Sequence, residues 1–171
     1  ITNQTNDEET MYNQNRKTMR LKTHNYSAGA YFITVCTYHK QPIFGTINNG
    51  IVELSDIGKI AEQCLILLPT IHRRIALPCH IVMPDHIHFV LMIDYSTDAE
   101  STNRTKMVVP KIIQSFKSAV SKHAAACKCD CPAPIWQQSY YDRIIRNENE
   151  FHILYEYIRL NPQNTKSEPY L

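Results

Sequence analysis

Apolar residues fall along the chain in blocks whose spacing changes from segment to segment, and that spacing predicts the elements. Tyr31-Phe32-Ile33-Thr34-Val35-Cys36-Thr37 is rich in β-branched and aromatic residues and predicts a strand. Asn48-Asn49-Gly50 predicts a hairpin turn. Beyond it the period lengthens: Ile57, Ile60, Ala61, Cys64 and Leu68 recur at helical spacing after a capping Ser55, and Pro69 is expected to stop that helix near Leu68. A strand begins at about Ile75, breaks at Pro84 and resumes at His86. The whole run Ile81 to Ile93 reads as strand buried on both faces. Residues 94–106 read as a polar linker. The next helix runs from near Pro110 to about Ala124, with Ile112, Ile113, Phe116, Ala119 and Val120 on one arc and Lys111, Ser115, Ser118 and Lys122 on another. A strand lies between Trp136 and Ile145. Asn147 and Glu150 resemble a capping box that opens a last helix, ended by Pro162. The order β, α, β, β, α, β, α predicts an α+β domain, one antiparallel sheet with helices mainly on one face.

At 171 residues and 43% hydrophobic content the chain suits one compact domain, assigned to 27–165, after a polar, flexible basic arm over 1–26 and before a short tail over 166–171. The net charge of +2 hides a segregation. Thr10 to Val52 carries five basic residues and no acid, and Arg104 to Cys129 carries six, again without an acid. Such a layout supplies either a basic surface for a phosphate backbone or an ordinary solvated face. Cys36, Cys64 and Cys79 sit in apolar surroundings as small core residues. Cys127-Lys128-Cys129-Asp130-Cys131 lacks the two-residue gap of zinc knuckles, so it reads as a loop with spare thiols, with soft-metal binding as the alternative. There is no apolar run of membrane length, and a reducing cytoplasmic setting with no membrane partner is the expectation.

His86 and His88 carry the chemistry. Two apart on a strand, both imidazoles project from one face. In a core they must be hydrogen-bonded, paired with an anion or metal-bound, because an unmet polar group there costs on the order of a few kcal/mol. One buried His is usually a satisfied core residue; two on one face point to a metal pair. Nearby His80 and Asp85 are candidates to orient a ligand, His80 alternatively as a structural residue.

On the last helix, His152, Glu156 and Arg159 fall on one narrow side at about 100° per residue, and Tyr157 and Asn161, one turn apart, lie within the apolar sweep. A buried Asn needs partners. Either Asn161 makes a structural hydrogen bond or C-cap, or it joins His86 and His88 as a third ligand of a divalent ion. Two imidazoles and an amide oxygen, with positions left open, suit Mg²⁺ or Mn²⁺ bridging a phosphate. Tyr157 would then set a phenol beside that phosphate, the equipment for phosphodiester transesterification. Tyr155, about 200° round the helix, points elsewhere.

Three blocks, Met83-Pro84-Asp85-His86-Ile87-His88, Trp136-Gln137-Gln138-Ser139-Tyr140-Tyr141-Asp142-Arg143-Ile144-Ile145-Arg146-Asn147 and Tyr157-Ile158-Arg159-Leu160-Asn161-Pro162, together resemble the REP-associated tyrosine transposases. These are single-tyrosine HUH endonucleases related to insertion-sequence transposases. Arg20-Leu21-Lys22 and the Tyr31–Thr37 strand look like that family's start, so the resemblance spans roughly 20–162. It implies a ferredoxin-like α/β sandwich acting on single-stranded DNA that carries a REP-like hairpin, as monomer or homodimer, in the nucleoid-associated cytoplasm. It implies His86, His88 and Asn161 as ligands of Mg²⁺ or Mn²⁺, and Tyr157 as the nucleophile that forms a 5′-phosphotyrosine link and frees a 3′-hydroxyl. Arg20, Lys22, Arg143 and Arg146 are the candidate DNA contacts, and Tyr140 and Tyr141 either pack or stack on bases. Two rival functions remain at this point: a hairpin-DNA-binding protein without cleavage, and a metal-dependent phosphoesterase that uses water.

Overall fold

The computed structural model describes residues 29–94 and 105–163, with side chains over 29–94 and 108–162. The sheet is built on β1 (Ala30–Cys36) and β6 (His86–Ile93), which pair antiparallel along their full length, Ala30 opposite Met92 through Cys36 opposite His86. β7 (Tyr141–Ile144) adds to the free side of β1, and the short β4 (Ile75–Ala76) and β5 (His80–Val82) pair in succession with the other side of β6. Every pairing among the described strands is antiparallel. All eight residues of β6 are buried, six of them apolar together with His86 and His88, as befits a central strand covered on both faces.

The β2 (Gly45–Asn48) and β3 (Ile51–Leu54) hairpin stands apart from this sheet. Its two-residue turn puts Asn49 at φ 51° and Gly50 at φ 75°, the left-handed pair that suits the twist of the flanking strands. Helix α1 (Asp56–Ile71) starts where Ser55 Oγ accepts from the Gly58 amide and donates to the Ile43 carbonyl. Gly58 is needed because a Cβ there would collide with the Phe44 carbonyl oxygen. Helix α2 (Thr105–Ala126) packs along α1, and α3 (Glu148–Leu160) is capped by Asn147, whose side chain accepts from the Glu150 amide at 2.8 Å.

Alternate residues of β1 and β6 enter different cores, which follows from the two-residue period of a strand. Ile33, Val35, Ile87, Phe89, Leu91 and Ile93 meet α1 and α2, joined by Phe44, Phe116 and Trp136. Ala30, Phe32, Val90 and Met92 meet Phe151, Leu154 and Ile158 of α3 on the other face. Among the described residues α1 and α2 therefore share one face and α3 covers the opposite one, on the side that carries the histidines.

Several boundaries differ from the expectation. The α1 helix runs through Pro69 to Ile71, because burial of Leu65 and Leu68 holds the last turn and His72 still donates to the Leu68 carbonyl. The α2 helix starts at Thr105 rather than near Pro110, inside the stretch read as linker. The capping box closes only by half: Glu150 Oε2 accepts from the Arg146 amide, not from that of Asn147. All six cysteines are free thiols. The basic arm, with Arg20 and Lys22, and the tail lie outside the described residues.

Candidate active site

Asp85 and His86 form the entry to β6, and the chain there is tightly tied. Thr37 donates to the Asp85 carbonyl from both its backbone amide and its hydroxyl, each at 2.9 Å, and the Phe44 amide donates to the Pro84 carbonyl. This corner sets the Asp85 carboxylate 2.7 Å from His86 Nδ1. Burial pushes the Asp85 carboxyl up, but the hydrogen bond and electrostatic attraction of the His86 ring, its own backbone amide and Lys40 hold it below the ordinary carboxylate value. An imidazole whose Nδ1–H is fixed on a carboxylate keeps its Nε2 lone pair for a ligand, the usual second-layer support of a metal-binding histidine.

His88 is pinned differently. Its register partner on β1 is Thr34, whose Oγ1 lies 2.8 Å from His88 Nδ1 with both residues buried. Burial first, then the electrostatic influence of neighbouring His86 and Lys40, lowers its pKa well below the ordinary imidazole value. Its Nε2 is buried without a hydrogen-bond partner among the described residues, and His86 Nε2 is buried as well. A buried nitrogen left in this way costs about 1–3 kcal/mol unless something occupies it. The two rings stand 4.4 Å apart, centroid to centroid.

Helix α3 brings Tyr157 to the same place. Its half-buried ring lies 5.5 Å from that of His88 and 6.0 Å from that of Phe32, which itself stacks on His88 at 5.1 Å. Tyr155 instead packs against Phe151, at 6.0 Å, on another side of the helix. Asn161 is buried one turn beyond Tyr157, continuing the helix with α-helical φ and ψ, where the following turn meets β3.

Among the described residues no cluster of three or more His, Cys, Asp or Glu side chains is arranged to hold a metal ion. A cation here would rest on the two imidazoles with a neutral oxygen donor, and the donor chemistry fits a divalent ion. His88 offers an orphaned nitrogen, both Nδ1 atoms are already engaged, and the Asn161 amide lies buried at the adjoining helix end.

The remaining candidates spread out. Arg143 on β7 is bound to Glu150 at 2.6 Å, and Arg146 is exposed. The Arg146 amide above all, then Arg143, hold the Glu150 carboxyl below its ordinary value against the effect of burial. His80 sits 3.9 Å from Glu62 on α1, so it belongs to the other face and does not support the histidine pair. Lys117, counted in the basic run of α2, is not a phosphate contact: its Nζ donates to the carbonyls of Gln137, Gln138 and Ser139 at 2.7, 3.3 and 3.0 Å. Trp136 Nε1 returns a bond to the Lys117 carbonyl. Tyr140 lines a groove with Gln114, Lys117 and Trp136, whereas Tyr141 is the register partner of Thr34 and faces the site side. Thr34 was missed by sequence reasoning. Its signal is a hydroxyl residue inside an apolar strand, but only the register reveals what it touches.

No family model matches the chain. An uncharacterized protein of Haemophilus influenzae strain Rd is 31% identical over 169 residues, covering 90% of this chain and 93% of that one. The chain belongs to that protein's family. Among solved structures, a REP-associated tyrosine transposase bound to a REP hairpin matches with a TM-score of 0.52 at 17% identity, over 86% of this chain and 74% of that chain. A candidate transposase of Deinococcus radiodurans R1 matches at 0.50 and 17%, over 76% and 88%. The chain therefore carries the fold of the REP-associated tyrosine transposases, as its motifs anticipate. No described helix is long and apolar enough to cross a membrane.

Proposed function

We propose that this protein is a metal-dependent, transposase-like enzyme that cleaves and rejoins single-stranded DNA bearing hairpins through a 5′-phosphotyrosine intermediate. One observation carries the reading: the Tyr157 ring lies against His88, a buried imidazole whose Nε2 has no hydrogen-bond partner among the described residues. The likeness to a transposase bound to a REP hairpin supports a DNA hairpin as the partner.

His86, His88 and Asn161 would hold Mg²⁺ or Mn²⁺, which when bound supplies charge neutralisation at the phosphate and favours the ionised phenol. The rest is done by the chain. Asp85 and Thr34 keep the two imidazoles oriented. Tyr157 Oη attacks phosphorus, a new O–P bond forms, and the bond to the 3′ oxygen breaks. The phenolic proton is balanced by the one gained by the departing 3′-hydroxyl. Because one phosphodiester replaces another, the reverse attack by a 3′-hydroxyl can rejoin strands without ATP.

The test is incubation of the native chain with labelled hairpin oligonucleotides carrying single-stranded flanks, in Mn²⁺. The expected product is a covalent protein–DNA adduct that Tyr157→Phe does not form while still binding DNA. Free cut products without an adduct would favour a water-using phosphoesterase, and binding without cleavage a recognition protein. An adduct with Tyr157→Phe would place the nucleophile elsewhere.

A further inference from the structure

We infer that the open, site-side face of β7 is a platform for the DNA strand beside the reacting phosphate, with the Tyr141 ring stacking on a base and Arg143 holding the adjoining phosphate. The inference rests on the reading of Tyr157 as nucleophile; it decides between packing and stacking for Tyr141 and joins that residue to Arg143 on one strand face beside the site.

The register supplies the argument. Tyr141 stands opposite Thr34, Thr34 opposite His88, so one row of side chains runs from the open edge of the sheet to the buried imidazole. Neighbouring strands lie about 4.8 Å apart, which sets Tyr141 about 10 Å from His88, within reach of a nucleotide adjoining a phosphate held there. The next row is Arg143, Phe32 and Val90, and Phe32 stacks on His88 and meets Tyr157. A continuous floor thus links the exposed edge to the site.

The cover is uneven. Helix α3 packs over β5 and β6, and every residue of β7 is exposed. Tyr141 keeps 46% of its surface, and the Arg143 side chain likewise 46%. Neither belongs to the core packed beneath α3. An accessible ring next to a guanidinium, on the face that carries the chemistry, is the pairing by which proteins hold single strands: stacking on the base, charge on the backbone. A guanidinium has five N–H donors, so Arg143 can take a phosphate oxygen while bound to Glu150. Tyr140, one residue earlier, lies in the groove against α2, which singles out Tyr141.

The experiment uses Tyr157→Phe protein, to stop strand loss, and hairpin oligonucleotides with 2-aminopurine at successive positions of the single-stranded flanks. Stacking quenches that fluorophore. One flank position is expected to be quenched on binding, with the quench lost and affinity lowered about tenfold in Tyr141→Ala, and both kept in Tyr141→Phe. Unchanged melting of Tyr141→Ala establishes that the fold is intact. A quench that survives Tyr141→Ala, or no quenched position at all, overturns the inference. So does a Tyr141→Ala effect confined to self-association in sedimentation, which would make the surface a contact between copies of the chain. Failure of the nucleophile reading is separate: it appears as no adduct with native protein, whatever the quench.

Discussion

Thr34→Val is the sharpest perturbation of the site, because it removes one oxygen and leaves the shape of the side chain. In the native fold that oxygen lies 2.8 Å from His88 Nδ1, with Thr34 1% and His88 0% exposed. Valine leaves His88 with neither ring nitrogen bonded, since its Nε2 already lacks a hydrogen-bond partner among the described residues. A buried polar group stripped of its partner costs about 1–3 kcal/mol. Taking about 2 kcal/mol, and about 2–4 °C per kcal/mol for a chain of this size, melting should fall by about 4–8 °C. The measurement is thermal unfolding by circular dichroism in chelator, so that metal linkage does not enter. Calorimetric titration with Mn²⁺ should then show affinity lowered about 10–100-fold, the usual effect of losing a residue that orients a ligand. Thr34→Ser separates hydroxyl from methyl: it should lose about 1 kcal/mol of packing and keep the Mn²⁺ affinity. A Thr34→Val protein as stable as the native one, with unchanged Mn²⁺ affinity, would refute the reasoning.

Lys117→Met should cost about 2 kcal/mol, because three carbonyls lose a charged donor, and should speed proteolysis between Trp136 and Tyr140. Lys117→Arg should not restore stability, since a planar guanidinium does not converge on three successive carbonyls as an ammonium does; full rescue by Arg would contradict this role. The apoprotein should lose stability as pH falls below about 6.5. Burial lowers the pKa of both His88 and His80, so the unfolded chain takes up protons that the folded one refuses, and the contribution is fully present only above the unfolded value. Urea unfolding in chelator across that range checks the sign, and a flat profile would contradict it.

The fold was legible where local chemistry decides it. Ser55 and Asn147 marked helix starts that the structure keeps, and the Asn49-Gly50 turn followed from backbone preference alone. Of the run Ile81–Ile93, read as strand buried on both faces, only His86–Ile93 is a wholly buried strand; Ile81 and Val82 belong to β5, and the chain reverses at Pro84-Asp85 so that β5 pairs antiparallel with β6. Boundaries failed where packing overrides local preference: buried Leu65 and Leu68 carry α1 past Pro69, and α2 begins five residues before Pro110.

The candidate site was visible in the sequence only as a set of residue types, and its geometry was hidden. Two imidazoles on one strand face, and a phenol and an amide one helical turn apart, are periodic facts that any register preserves. What pins them depends on which strands are neighbours. A strand slipped by one residue would turn Thr34 away from His88 and Tyr141 away from both, with no change in sequence pattern. The same ambiguity hid the separation of Tyr140 from Tyr141 and the withdrawal of Lys117 from the basic surface. The division has a consequence for the proposed reaction. The histidines are fixed by a central strand and two hydrogen bonds, whereas Tyr157 reaches them only through the docking of α3, by Phe151, Leu154 and Ile158 on Ala30, Phe32, Val90 and Met92. If Tyr157 is the nucleophile proposed above, that packing is part of its geometry: a shift of the helix by a fraction of a turn would leave both histidines in place and take the phenol away.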